Sequence, residues 1–258
     1  MPAKKTDAEQ VGARQALLDL FNANQERVFY SRQFEVLLED RWFHWITNRA
    51  LHQLIEEGLV LSDPYRLSNG VPVFLVRHRG YRYHRRESAR VLALIDEYSH
   101  HDVSRDVGWQ GEALVLEGFV RNQFVLLDRN AQSYGDKVWT DSNHDLDFVL
   151  ERDGVGYGVE VKNQLGYMDH DELVRKTEMC RSLGLRSVFA VRMLPKDWIN
   201  EVIDSGGFAL IMKYQLYPKA RRALVERMRE ELELPVDTPG ALFDGTMKRF
   251  LDWHEKNV

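Results

Sequence analysis

The fold turns on one stretch, His144-Asp-Leu-Asp-Phe-Val-Leu-Glu-Arg-Asp-Gly-Val-Gly-Tyr-Gly-Val-Glu-Val-Lys-Asn163. Asp153-Gly154 at its centre is the strongest short signal for a two-residue β-hairpin loop. With those two residues as the loop, Arg152 faces Val155 and the opposed positions follow outward. Asp147 then lies across from Glu160, and Asp145 across from Lys162. Directly opposed residues share a face with their Cβ atoms about 5 Å apart. Strand periodicity puts Glu160 and Lys162 on that same face. The other face carries Leu146, Phe148, Leu150, Tyr157, Val159 and Val161, the expected core. A loop longer by one residue, with Gly156 in a bulge, would move Asp147 off Glu160 and leave Asp145 as its replacement.

Three acids and a lysine therefore converge on one side of an apolar hairpin. Facing carboxylates without a cation repel, and each resists ionising. A divalent metal relieves that cost, and oxygen ligands with water in the remaining positions suit Mg²⁺ or Mn²⁺. A metal held by Asp147 and Glu160 can orient a water and stabilise charge on a phosphoryl oxygen, with Lys162 helping to activate that water.

Around the hairpin, helix and strand signals alternate. Residues 112–120 read as a helix and 124–127 as a strand; 145–150 and 156–162 are the hairpin strands. Residues 171–183 read as a helix, 187–191 and 208–212 as short apolar strands, and 195–204 as a helix between them. Helices over 219–232 and 240–254 close the chain. This is a mixed α/β domain. Arg175, Lys176 and Arg192 could line a substrate cleft, but as single charges on a helix or at a strand end they read as solvated; Asp204-Ser-Gly-Gly207 reads as a turn.

The first 86 residues read differently. Helical spacing runs over 8–22; Ser31 is a candidate cap for a second helix, and Thr47 for a third that ends at Gly58. Asn48, Arg49 and His52 lie on the outward face of that third helix. A Ser-Asn-Gly turn at 68–70 and a strand at 71–77 then make a hairpin. Residues 66–90 hold seven arginines and one acid, Glu87, with Tyr81 and Tyr83 interleaved. Three helices followed by a basic hairpin is the order of a winged helix, whose third helix enters the major groove and whose hairpin touches phosphate. DNA contacts are thus expected from Asn48, Arg49, His52, Arg77, Arg79, Arg82, Arg85 and Arg86. Residues 87–98 form a connecting helix and 99–105 a polar joint, so the expected domains are 1–86, a link over 87–105, and 106–258.

Asp147, the twelve residues after it, and Glu160-Val161-Lys162 resemble the motif of the PD-(D/E)xK nuclease superfamily, the fold of many restriction endonucleases and archaeal Holliday-junction resolvases. Gly108-Trp-Gln-Gly-Glu112 matches the glutamate that the family often adds in the preceding helix. The resemblance covers roughly residues 105–215. It implies a restriction-endonuclease-like mixed sheet, a Mg²⁺ or Mn²⁺ site drawn from Glu112, Asp147, Glu160 and Val161, and Lys162 as the residue that assists the attacking water. Leu146 stands where many members have proline. Asp145, Asn163 and Gln164 are auxiliary candidates, the latter two toward phosphate. Many members act as dimers, so a homodimer is a candidate assembly. The expected activity is metal-dependent DNA endonuclease, on duplex or branched DNA, with RNA as a further substrate class. Its rival is a DNA-binding regulator or replication accessory whose nuclease-like domain is structural.

Composition narrows the field further. The 258 residues carry 35 Lys+Arg against 40 Asp+Glu, with 44% in the hydrophobic set. That is enough apolar sequence for a sizeable core. A single cysteine, Cys180, excludes a disulfide framework and a Cys-rich zinc module. The longest apolar runs, 73–76 and 208–212, fall far short of the ~20 residues of a membrane span, and no apolar leader follows Met1. Gly154, Gly156 and Gly158 lead into a strand, so no dinucleotide loop is formed, and a Gly-x-x-x-x-Gly-Lys loop is absent; no intrinsic ATP use is expected. A cytoplasmic protein is the expectation, nucleoid-associated or nuclear where DNA is its partner.

Overall fold

A computed structural model describes the backbone of residues 3–258 and the side chains of residues 8–258. The chain is mixed α/β and divides into two compact units. One runs to Ser104 and takes in Ala223–Leu234; the other comprises Arg105–Arg222 and Pro235–Val258. This differs from the expected division: the connecting helix belongs with the first unit, and so does a late segment of the chain.

The first unit contains α1 (Ala3–Ala23), β1 (Val28–Tyr30), α2 (Gln33–Leu37), α3 (His44–Glu56), β2 (Val60–Arg66), β3 (Pro72–His78) and α4 (Arg85–Tyr98). The strands form one antiparallel sheet in the order β1-β3-β2. Leu17, Phe21, Phe29, Phe34, Ala50, Leu54, Val60 and Val76 make its core, in which the rings of Phe21, Phe29 and Phe34 meet at 5.2–5.5 Å. Two expected caps are corrected here. Ser31 lies in a turn before Arg32, the residue that precedes α2, and no side chain caps that helix. Thr47 is fully buried inside α3, which begins three residues earlier after Phe43. The expected helix end at Gly58 agrees with its positive φ of 68°. The late segment joins this unit through Gln33, whose side-chain amide donates to the Leu232 carbonyl at 2.7 Å, and through Arg27, which donates to that of Glu231 at 2.9 Å.

The second unit is built from α5 (His101–Arg121), β4 (Val125–Ala131), β5 (Ser133–Tyr134), β6 (Lys137–Val138), β7 (Leu146–Arg152), β8 (Val155–Lys162), α6 (His170–Leu183), β9 (Arg186–Val191), α7 (Lys196–Asp204), β10 (Phe208–Ile211) and β11 (Gln215–Leu216). After α8 (Arg222–Leu232), β12 (Val236–Asp237) pairs with β11, and α9 (Asp244–Asn257) ends the chain. The residues expected as a polar joint, 99–105, are mostly the first turns of α5. The main sheet has the order β10-β9-β8-β7-β4. β8, β9 and β10 run parallel, each joined to the next by a helix, whereas β7 is antiparallel to both its neighbours. Parallel strands need such crossovers, and the helices that supply them cover the sheet and bury it.

The hairpin loop is the expected one. Asp153 and Gly154 have φ of 55° and 74°, the pair of positive angles that a type I′ turn requires. Arg152 faces Val155, Leu150 faces Tyr157 and Phe148 faces Val159. One face packs Phe148, Leu150, Tyr157, Val159 and Val161 against Leu114, Val115 and Phe119 of α5 and Phe250 of α9. Leu146 departs from the expected face and joins Val149, Met179, Cys180, Leu183 and Leu185 under α6. Both faces of β7 and β8 are thus covered. Among the described residues, no helix is long and apolar enough to cross a membrane.

Candidate active site and nucleic-acid surface

The acidic residues sit where β7 begins and β8 ends. The ladder ends at the Phe148–Val159 pair; beyond it the Asp147 Oδ2 accepts the Val161 N–H at 2.7 Å. The paired register agrees with the expected one as far as Phe148–Val159. Asp145 precedes β7; its main-chain carbonyl accepts from Lys176 on α6.

Helix α6 reaches this point because of a glycine. A Cβ on Gly158 would meet the Cys180 Sγ at 2.5 Å, so only glycine lets the helix lie so close to β8. Lys176 is one helical turn before Cys180, and Glu160 is the next residue of β8 on the face of Gly158. The same close approach carries the Lys176 ammonium to within 2.6 Å of Glu160 Oε2. Lys176 and Glu160 are 3% and 2% exposed. Asp169 caps α6 by accepting the Glu172 N–H, and Glu172 in the first turn holds Lys162 at 2.9 Å. The Lys162 ammonium also lies 2.8 Å from Glu160 Oε1. Both oxygens of Glu160 thus have a lysine partner.

Burial, and then the nearby Glu160 charge, push the Asp147 carboxyl up from 3.8 to about 7, against the Val161 N–H that favours its charged form. Glu112 is also raised by burial and by Glu160, with Arg129 and Lys162 opposing. Burial disfavours the Lys162 ammonium, but the charge and hydrogen bond of Glu160 and the pairing with Glu172 outweigh it, and its pKa is raised.

Glu112 lies in the middle of α5 and does not open that helix as expected. Its helix is fixed against β8 by Asn163: a Cβ on Gly111 would stand 2.5 Å from the Asn163 Cβ. The Asn163 side chain donates to the Val107 and Leu216 carbonyls at 2.7 and 2.6 Å and accepts the Leu216 N–H at 2.7 Å. Asn163 is therefore a buried fastener between elements, a correction to its expected reach toward phosphate. Gln164 is exposed and donates to the Tyr167 carbonyl. Val161 offers only hydrocarbon in its side chain, which is core, so any ligand role would fall to its main chain.

Among the described residues, no group of three His, Cys, Asp or Glu side chains is arranged to hold a metal ion. Both oxygens of Glu160 are ion-paired to lysines. The donor chemistry nevertheless fits a hard divalent cation, because Asp147 and Glu112 are both pushed toward the neutral form with Glu160 among the causes. A cation among them would reverse that push.

Sequence reasoning missed Lys176 and Arg192, both read as solvated. Lys176 is buried on Glu160, and Arg192 is buried with its guanidinium on the Leu165 carbonyl. A signal for Lys176 was present: it falls on the stripe Leu173, Lys176, Cys180, Leu183, whose other members are all buried.

In the first unit, Asn48, Arg49 and His52 are exposed on α3 as expected. Asn48 donates to Glu35 Oε1 at 3.1 Å, and the Arg49 guanidinium lies 4.3 Å from the centre of the Trp45 ring. Arg79, Arg82, Arg85 and Arg86 are exposed. Arg77 is a correction: it is buried on β3, ion-paired with Asp63 at 2.5 Å and donating to the Tyr81 carbonyl. Alternation along β3 points it inward to these partners and away from solvent.

Comparison with protein-family models, curated proteins and solved structures finds no match to this chain.

Proposed function

We propose that the protein is a metal-dependent nuclease of the PD-(D/E)xK type that cleaves DNA, with a winged helix in the first unit as its DNA-binding part. The observation that supports this most is the grouping of Asp147, Glu160 and Lys162 at the open end of the hairpin: Asp147 accepts the Val161 N–H, Glu160 helps raise its pKa, and the Lys162 ammonium lies 2.8 Å from Glu160 Oε1. Asp147 and Glu160, with Glu112, would hold a Mg²⁺ or Mn²⁺ ion. When bound, such an ion lowers the pKa of a coordinated water and stabilises charge on a phosphoryl oxygen.

The chain's own residues supply the rest. Lys162, half-buried and cationic, is available to orient a water and to offset charge on phosphate. Glu172 keeps its ammonium near the acids. The exposed Arg79, Arg82, Arg85 and Arg86 give the first unit a cationic surface, and Asn48 and His52 on α3 offer groups able to meet base edges.

The saturation of Glu160 by two lysines favours a second reading: a DNA-binding regulator whose second unit is structural. Cleavage separates them. Supercoiled plasmid and labelled single-stranded, duplex and branched DNA would be incubated with the protein in Mg²⁺, Mn²⁺ or EDTA, beside Lys162→Ala. Cleavage that requires metal and is lost in the variant is the expected result. Binding without cleavage under every condition would overturn the nuclease and leave the regulator.

A further inference from the structure

A cleft of about 320 Å³ opens in the first unit between α3 and the sheet. Its origin is local. Ala50 and Leu54 of α3 share a core with Val60 and Val76, so the helix covers that end of the sheet. Toward Pro72 the sheet is uncovered, and Phe74 is 48% exposed. Ser62 faces Val76 directly across the strands, and Phe74, two residues from Val76, shares their face. The floor is apolar: Leu51 and Val76 are buried and Ile55 is half-buried.

Around that floor stand hydrogen-bonding groups that the fold leaves unused. Among the described residues, none bonds to the Ser31 or Ser62 hydroxyl or to the His52 ring. Asn48 donates one amide N–H to Glu35 Oε1 at 3.1 Å and keeps its amide oxygen. Arg32 and Glu35 bring one charge of each sign to the lining, so the cleft selects neither an anion nor a cation. The matching ligand has a flat apolar face and both donors and acceptors along its edge. A nucleobase has both, and such sites hold it by stacking and by hydrogen bonds to its pairing edge. The volume lies at the lower end of the ~300–1,000 Å³ of small-molecule sites, which suits a single base. Asn48 and His52 are exposed on α3 and also line the cleft. A duplex set against α3 would therefore cover its mouth.

We propose that this cleft receives one nucleobase swung out of a duplex lying on α3, with Phe74 as the stacking ring. This rests on the reading of the first unit as DNA-binding. Swinging a base out is easiest where its pair is already weak, so the cleft gives the protein a preference for mispaired duplex.

The test uses the full-length protein in EDTA and duplexes that carry 2-aminopurine, paired with thymine or mispaired with cytosine. Its fluorescence rises when it leaves the stack. Wild type should bind the mispaired duplex several-fold more tightly than the paired one, and its fluorescence should rise on binding. Ser62→Met, which fills the cleft from the sheet, should abolish the preference and the rise while leaving the salt dependence of binding unchanged. Phe74→Ala, at an exposed position, should diminish both. Equal binding of the two duplexes without a rise would overturn the inference and leave the DNA-binding reading standing. So would a rise undiminished in folded Ser62→Met, or in Phe74→Ala should Ser62→Met fail to fold. Adenosine or cytidine that binds wild type but not Ser62→Met, with no rise on DNA, would assign the cleft to a soluble ligand and overturn the swung-out base. No binding of either duplex at low salt would overturn the DNA-binding reading, and this inference with it.

Discussion

Replacing Asp147 with Asn should make the metal-free protein more stable, by an amount that grows with pH. The Asp147 carboxyl is raised from 3.8 to about 7 in the folded chain, first by burial and then by Glu160. Between those two values the folded form holds a proton that the unfolded chain has already released. Stability therefore falls as pH rises through this window and levels off above it. At about 1.4 kcal/mol per pKa unit, the part of the window above pH 5 amounts to roughly 2–3 kcal/mol. Asn keeps an oxygen that can accept the Val161 N–H and removes the charge that burial opposes. Whatever fixed offset the amide itself introduces is the same at both pH values.

The assay is calorimetric unfolding of wild type and Asp147→Asn in EDTA at pH 5 and pH 8, a method that resolves two units that unfold separately. The stability difference between the proteins should shift toward Asn by about 2–3 kcal/mol from pH 5 to pH 8. Added Mg²⁺ at pH 8 should then stabilise wild type and leave the variant nearly unmoved. A difference that is constant with pH, or that turns against Asn at pH 8, would refute the reasoning, because Asp147 would then not lie in a desolvated, acid-rich position.

Three other expectations concern parts remote from the acids. Tyr157 Oη lies 2.6 Å from His254 Nδ1, and His254 Nε2 lies 2.9 Å from Asp153 Oδ2 at the hairpin turn; His254→Phe should cost about 1–3 kcal/mol by leaving the buried phenol unpartnered, and much less in a Tyr157→Phe background. Additive losses in a double-mutant cycle of urea unfolding would show that the chain of contacts does not act as a unit. Arg82→Ala with Arg85→Ala should weaken DNA binding and lower the dependence of log K on log salt by about two. Arg77→Ala, whose guanidinium is buried on Asp63, should instead lower stability and leave that slope unchanged. A slope insensitive to Arg82 and Arg85 would place the DNA surface elsewhere.

The hairpin was legible because local chemistry decided its backbone. Asp153-Gly154 can adopt the positive φ angles of a type I′ turn, and from that one loop the register follows as far as the Phe148–Val159 pair. Residues whose role is set by distant chain were not legible. Asn163 looks like a polar neighbour of Lys162, but its partners are Val107 and Leu216. Thr47 carries the chemistry of a helix cap, yet α3 starts three residues earlier and buries it. β1 has only three residues, too few for alternation to show, and it is recognisable only from its pairing with β3. Lys176 lies between these cases: spacing placed it on the buried stripe of α6, and its charge argued, wrongly, for solvent.

These contrasts bear on what the acidic centre is for. The Lys176–Glu160 pair by itself would be a satisfied buried ion pair, an arrangement that packed hydrophobic residues of similar volume often match or exceed in stability. A purely structural role could end there. Asp147 is different, because burial and Glu160 together hold it partly neutral at neutral pH, and a carboxylate there works against folding. The Lys162 charge opposes that push only in part, with its ammonium paired to Glu160 and Glu172. An acid that weakens the fold as it ionises is what the proposed metal-binding reading expects at Asp147 and what a purely structural ion pair does not require.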